Sequence, residues 1–178
     1  MTQADRYNRG GIGRWYWDYR DRQVIKLIPP GTVLDVGCGE MITTRKIPGA
    51  IGMDLDQDVR GSAHSIPFPE NTFTTVTLLE VIEHLEFPLT TTMEILRVLK
   101  PGGRLIVLFP NDRTFKLAWA LCGMWGEITK DRGHLRQCNP KKARRVMKAM
   151  GFKVIYERSI PFHFWPFSLH HIIVGEKC

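Results

Sequence analysis

The chain predicts an α/β protein: a doubly wound, mostly parallel sheet between helical layers, three layers deep, with an antiparallel hairpin at its C-terminal edge. Three observations carry this. Short β-branched runs alternate with helical segments from residue 14 to residue 109, the pattern of a parallel sheet covered on both faces. A first strand ends in Gly37-Cys38-Gly39, and such turns sit where open α/β sheets bind ligands. The last two strands have no helix between them, so they should pair antiparallel.

Each element follows in order. Residues 14–28 read as a helix whose apolar side is Val24, Ile25, Leu27 and Ile28, stopped by Pro29-Pro30-Gly31. Residues 32–36 are a short β-branched strand. Residues 40–46 form a short helix closed by Pro48-Gly49, and 50–53 a second strand ending at Asp54. Only a few residues follow before Gly61, so the third strand, at 61–63, is a stub. Residues 74–79 are a strand, 89–99 a helix ended by Pro101-Gly102-Gly103, and 104–109 the strongest strand. Asn139 caps a helix with Pro140 at its first position. Ala143, Val146, Met147 and Met150 form its apolar stripe, and Gly151 closes it. Residues 152–157 and 171–174 are the two closing strands.

The 178 residues predict one domain, with residues 1–30 as an N-terminal cap and 110–139 as an insertion over the site. Hydrophobic residues make up 43% and charged residues 24%, which excludes disordered and collagen-like chains. The longest apolar stretch, 117–125, is far shorter than the ~20 residues of a membrane span. The N-terminus shows no secretory signal. Cys38, Cys122, Cys138 and Cys178 form no CxxC pair, so a reducing, cytoplasmic setting is expected. Cys122, His134 and Cys138 lack a fourth zinc ligand, so no metal is expected. The net charge of +7 is uneven: residues 111–178 hold 13 Lys and Arg against 5 Asp and Glu. A basic face suits acidic partners, or it is simply the solvated side of the 140–150 helix.

Two features carry chemistry. In Val33-Leu34-Asp35-Val36-Gly37-Cys38-Gly39-Glu40 the glycines let the backbone turn sharply against a ligand. The dinucleotide fingerprint's third glycine is absent, and Asp35 would repel a pyrophosphate, so a cationic ligand fits better. Asp54 ends the second strand 17 positions after Gly37, placed to accept hydrogen bonds from a ribose diol.

These motifs, taken together, resemble the class I S-adenosylmethionine-dependent methyltransferases over most of the chain. VLDVGCGE resembles their first motif and IGMDLD their second. GSAHSIPFPENTF resembles the segment around the third strand. VTLLEVIEHLEFP resembles the fourth-strand motif, with its Glu83-His84 pair. ILRVLKPGGRLIVLFP and GHLRQCNPKKARRVMKAMGF resemble the later helix–strand and His–Arg stretches, and RWYWDYRDR the aromatic–Arg opening of some members. The resemblance implies a Rossmann-like fold and S-adenosyl-L-methionine as cofactor. It would place Gly37, Cys38 and Gly39 against the methionine part and Asp35 near its ammonium, through water. It puts Asp54 on both ribose hydroxyls, Leu55 on the adenine, Ser62 and Ala63 at the adenine edge, and Leu79 under the methyl group. The chain departs from the family at Ser62 and Thr74, where Asp is usual, and in its short crossover after strand two. Ser62 offers one uncharged hydrogen bond there.

Methyl transfer needs alignment and, for an oxygen acceptor, a base, a task that suits histidine. His84, after strand four, and His134, in the insertion, are the catalytic candidates; His64 is a third. The implied acceptor is a small molecule, lipid- or sugar-linked. Phe115, Leu117, Ala118, Trp119, Leu121, Met124 and Trp125 form either a core helix or a lid for an apolar substrate. With the aromatics of 160–167 and nearby Lys and Arg, they also suit contact with an anionic membrane. A nucleic-acid methyltransferase is the alternative. Against it, Leu79-Glu80-Val81-Ile82 stands where amino-methylating enzymes carry N/D-P-P-Y/F, and no Pro-Cys nucleophile is present. A non-catalytic binding protein is the third reading.

Overall fold

The computed structural model describes residues 7, 10–57, 59–121 and 138–178. One seven-stranded sheet organises them. Its strands are β1 (Val33–Val36), β2 (Ala50–Asp54), β3 (Val59–Arg60), β4 (Phe73–Leu79), β5 (Leu99–Pro110), β6 (Phe152–Ile160) and β7 (His170–Lys177). The spatial order is β3-β2-β1-β4-β5-β7-β6. Strands β1 to β5 pair in parallel. β7 runs antiparallel to both β5 and β6. This is the doubly wound sheet with an antiparallel C-terminal edge that the strand–helix alternation predicts.

Alternation along the strands builds two cores. Leu105, Val107 and Phe109 of β5 face the same cluster as Ile95 and Val98 of α2 (Pro88–Val98) and Ala143 and Met147 of α4 (Pro140–Ala149). Ile106 and Leu108 face the other way, toward Val24 of α1 (Gly11–Ile25). Asn139 caps α4 by accepting the Lys142 N–H at 2.9 Å, and Lys141, Lys142 and Arg145 of that helix face solvent. A fourth helix, α3 (Asp112–Leu121), leaves β5. No helix among the described residues is long and apolar enough to cross a membrane.

Four local expectations are corrected. The helix expected over 40–46 is only a 3₁₀ turn, Thr44–Lys46. Met41 takes a left-handed φ of 59°, which breaks the helix, and the Thr44 hydroxyl is drawn to Asp35. The third strand is Val59–Arg60 rather than 61–63: Gly61 N–H makes its last ladder bond, to the Asp54 carbonyl at 3.1 Å, and the chain then turns, with Ser65 N–H donating to the Ser62 carbonyl at 2.9 Å. β5 begins at Leu99, not 104. Leu99 pairs with Phe73, and the chain slips register before Arg104 meets Thr75, so Pro101-Gly102-Gly103 forms a bulge rather than a gap. The first helix ends at Ile25 rather than 28; Leu27 and Ile28 still pack on the second core.

Candidate active site

The carboxyl ends of β1, β2 and β4 lie side by side, and the site residues gather there. Gly37 leaves β1 with φ 74°, and Gly39 follows with φ 50°. A Cβ on Gly37 would stand 2.5 Å from Val81 Cγ2, so only glycine fits both the turn and the space. The Gly37 and Cys38 N–H groups donate to the Met53 carbonyl. That ties the turn to β2. Asp54 completes the tie: its Oδ2 accepts Gly39 N–H at 2.8 Å and its Oδ1 accepts Leu55 N–H at 2.7 Å.

A pocket opens between this turn and α1. Asp35, Gly37, Cys38 and Leu79 line it, as does a second set: Trp17, Arg20, Ile42, Thr43 and Glu80. Asp35 is 2% exposed. Its oxygens accept from Thr44 Oγ1 at 2.5 Å and Thr77 Oγ1 at 2.6 Å. Burial nevertheless pushes its carboxyl above the usual carboxylate range, the two hydroxyls opposing. Burial, with Asp35 and Asp54 adding to it, pushes the Cys38 thiol up to about 12, so it is an inert neighbour.

The second set is organised by charge. Arg20 is 5% exposed and donates from Nη1 to Glu80 Oε1 at 2.5 Å. Its Nε and Nη2 donate to Asp21 Oδ1 at 3.0 and 2.8 Å, and Nη2 also to Thr43 Oγ1 at 3.1 Å. Lys46 joins from outside, 2.7 Å from both Asp21 and Asp18. His170 of β7 reaches the same Glu80 oxygen through Nε2 at 2.7 Å, and its Nδ1 lies 2.8 Å from the Tyr16 hydroxyl. Burial would raise the Glu80 carboxyl, but the Arg20 charge and the His170 hydrogen bond outweigh it and hold it well below its ordinary value. Burial lowers the His170 pKa despite the pull of Glu80. An ionised Glu80 only accepts, so neutral His170 donates from Nε2, and Tyr16 donates to Nδ1. Glu80 sits at φ 56°, a conformation unusual for a residue with a Cβ and often found at functional sites.

The other candidates stand around this pocket rather than in it. Leu55 is exposed after β2. Ser62 Oγ lies 3.1 Å from His64 Nδ1, and His64 Nε2 accepts Phe87 N–H at 3.2 Å, so this loop is pinned to the start of α2. Ala63 packs on the first core. His84 is exposed in the turn Ile82–His84 after β4. His134, Cys122, Met124 and Trp125 lie outside the described residues. Among the described residues no cluster of three or more His, Cys, Asp or Glu can hold a metal. The sequence missed Arg20 and His170. Arg20 belongs to the RWYWDYRDR opening, and a lone arginine in an aromatic helix carries no signal of burial. His170 is read as loop until its pairing with Pro110 is seen.

This constellation fits a zwitterionic amino-acid end: Arg20 and Glu80 present opposite charges to the pocket, and the Gly37–Gly39 turn allows close approach. The profile of a family described as a methyltransferase domain matches residues 7–157. A demethylmenaquinone methyltransferase of Corynebacterium glutamicum strain R is 30% identical over 146 residues, 73% of this chain and 60% of that one. A Mycolicibacterium smegmatis protein named a probable S-adenosylmethionine-dependent methyltransferase is 29% identical over 140 residues, 68% of this chain and 52% of that one. The chain spans about a third to a half of the length of several curated relatives it matches. An S-adenosylmethionine-dependent methyltransferase structure from Archaeoglobus fulgidus superposes with a TM-score of 0.71 at 17% identity, covering 95% of this chain and 96% of that one. A [4+2]-cyclase superposes at 0.67 and 18% identity, covering 91% of this chain and 80% of that one, so the fold alone does not name the chemistry. The chain belongs to the methyltransferase-domain family.

Proposed function

We propose that the chain methylates a small apolar acceptor, lipid- or sugar-linked. The observation that carries this is the pocket at the carboxyl edge of the sheet, where Arg20 and Glu80 flank the Gly37–Gly39 turn. S-adenosyl-L-methionine, when bound, supplies a methyl group already activated by a sulfonium. The protein then has to bind, orient and exclude water. In this reading Gly37, Cys38 and Gly39 cover the methionine part and Asp35 draws its ammonium through water. Asp54 turns from Gly39 to the ribose hydroxyls, Leu55 covers the adenine, Ser62 and Ala63 meet its edge, and Leu79 floors the transfer position.

The acceptor loses a proton as it gains the methyl. His84 and His134 are the proposed acceptors of that proton, His84 from the turn after β4. The connection 110–139 is the proposed lid. Its first part, α3, presents exposed Leu117 at the same edge of the sheet. The acceptor's apolar character is supported by that edge and by relatives named for demethylmenaquinone methylation and for ubiquinone and menaquinone biosynthesis.

The test offers methyl-labelled cofactor with a prenylated dihydroxynaphthalene and, separately, with structured RNA. Label in the organic phase supports the reading, and His84→Ala should then cut turnover by about 10²–10⁴ with cofactor affinity unchanged. Label in the RNA, or in neither, contradicts it.

A further inference from the structure

β7 lies antiparallel to β5 with Pro110 opposite His170. The connection from β6 to β7 therefore emerges at the carboxyl edge of the sheet, beside the pocket. His170 marks the meeting point. Tyr16 of α1 stacks on its ring at 5.7 Å, and Phe115 of α3 meets it edge-on at 4.9 Å. Three elements, α1, α3 and the 161–169 connection, thus converge on one rim.

That connection is built to hold its phenylalanines outward. Ser168 is fully buried, and its hydroxyl lies within donating reach of the Phe162 and Phe164 carbonyls, its one proton serving the two. Asn111 Nδ2 donates to the Trp165 and Ser168 carbonyls at 2.9 and 3.1 Å. Trp165 turns inward, with its ring 5.7 Å from both Phe109 and His171. Phe162, Phe164 and Phe167 are left 61%, 61% and 66% exposed. Leu117 of α3 and Trp15 and Ile12 of α1 are exposed on the neighbouring elements. Exposed phenylalanines, with Phe164 and Phe167 5.7 Å apart, held on a backbone pinned by buried polar groups, mark a contact surface.

Charge selects the partner. No acidic residue occurs from 158 to 175, while Arg158 lies beside His163 and Arg113 follows Asp112 in the first turn of α3. Aromatic rings flanked by cations suit the headgroup–acyl boundary of an anionic bilayer. We propose that the Phe162–Phe164–Phe167 rim seats the protein on an anionic lipid surface, with the pocket mouth at the membrane. This goes beyond the methyl-transfer reading and stands without it. It centres the contact on the β6–β7 connection and the start of α3.

The test is co-sedimentation of the full chain, without cofactor, with phosphatidylcholine vesicles with and without phosphatidylglycerol, at low and high salt. The wild type should bind, more with phosphatidylglycerol and less with salt. The F162S/F164S/F167S variant should lose roughly a hundredfold in partitioning, and Arg113→Gln and Arg158→Gln about fivefold each of the lipid-charge-dependent part. Cofactor calorimetry should be unchanged in all of them, which separates this proposal from the one above. Each Phe is also replaced singly, so a misfolded triple variant decides nothing. No partitioning at any composition overturns the proposal. Equal partitioning of folded Phe variants does so too, as does a wild-type dimer that the Phe substitutions dissolve.

Discussion

Replacing Glu80 by Gln removes the carboxylate shared by Arg20 and His170. The Arg20 guanidinium, 5% exposed, then keeps Asp21, 2.8 Å away, as its ion-pair partner among the described residues. Removing one member of a buried pair costs about 3–5 kcal/mol. Asp21 remains and Glu80 keeps 23% of its side chain in solvent, so about 2–3 kcal/mol is expected here. For a chain of this size that lowers Tm by roughly 5–12 °C. Differential scanning calorimetry at pH 7 measures it. The Arg20→Met/Glu80→Gln pair should lose less than the two single changes together, because no orphaned charge is left. The pH dependence has a fixed sign. The folded carboxyl titrates below its ordinary 4.5, so its stabilisation is complete above that pH and shrinks as pH falls beneath it. Wild type and Glu80→Gln should therefore converge in acid. A Tm change below about 2 °C at pH 7, or a gap that widens in acid, would refute this account of the network.

Two further outcomes follow from single groups. Gly37→Ala should cost about 1–3 kcal/mol in a thermal melt, since φ 74° is strained for alanine and its Cβ would press on Val81; Val81→Ala should restore only part. His171 is held neutral by burial, its pKa pushed down to about 4 from 6.5, so stability should fall as pH drops from 6.5 toward 4, by roughly 3 kcal/mol. His171→Gln should flatten that part of the pH–Tm curve, and an unchanged curve would contradict it.

The strands were legible because β-branched runs end in glycine or aspartate, and the two closing strands because nothing helical separates them. The Gly37–Gly39 turn and Asp54 were legible for the same reason: local chemistry fixes them, and the Gly39–Asp54 hydrogen bond joins the two. The Arg20–Glu80–His170 network was not legible. Its members are 60 and 90 positions apart, and only the insertion of β7 beside β5 brings His170 to the end of β4. The helix expected over 40–46 failed for a related reason. Thr44 serves the buried Asp35, a tertiary demand that local propensity does not contain. The bulge over Pro101-Gly102-Gly103 likewise depends on register with Phe73 and Thr75.

The central claim is that the carboxyl edge around Gly37, Arg20, Asp54 and Glu80 binds S-adenosyl-L-methionine. Titration calorimetry of the purified chain with this compound, and of folded Asp54→Ala, tests it most directly. The account predicts one site per chain for the wild type and a loss of about 1.5–3 kcal/mol in the variant, the scale of hydrogen bonds to a charged group. No binding to the wild type, or equal affinity in the variant, would contradict it.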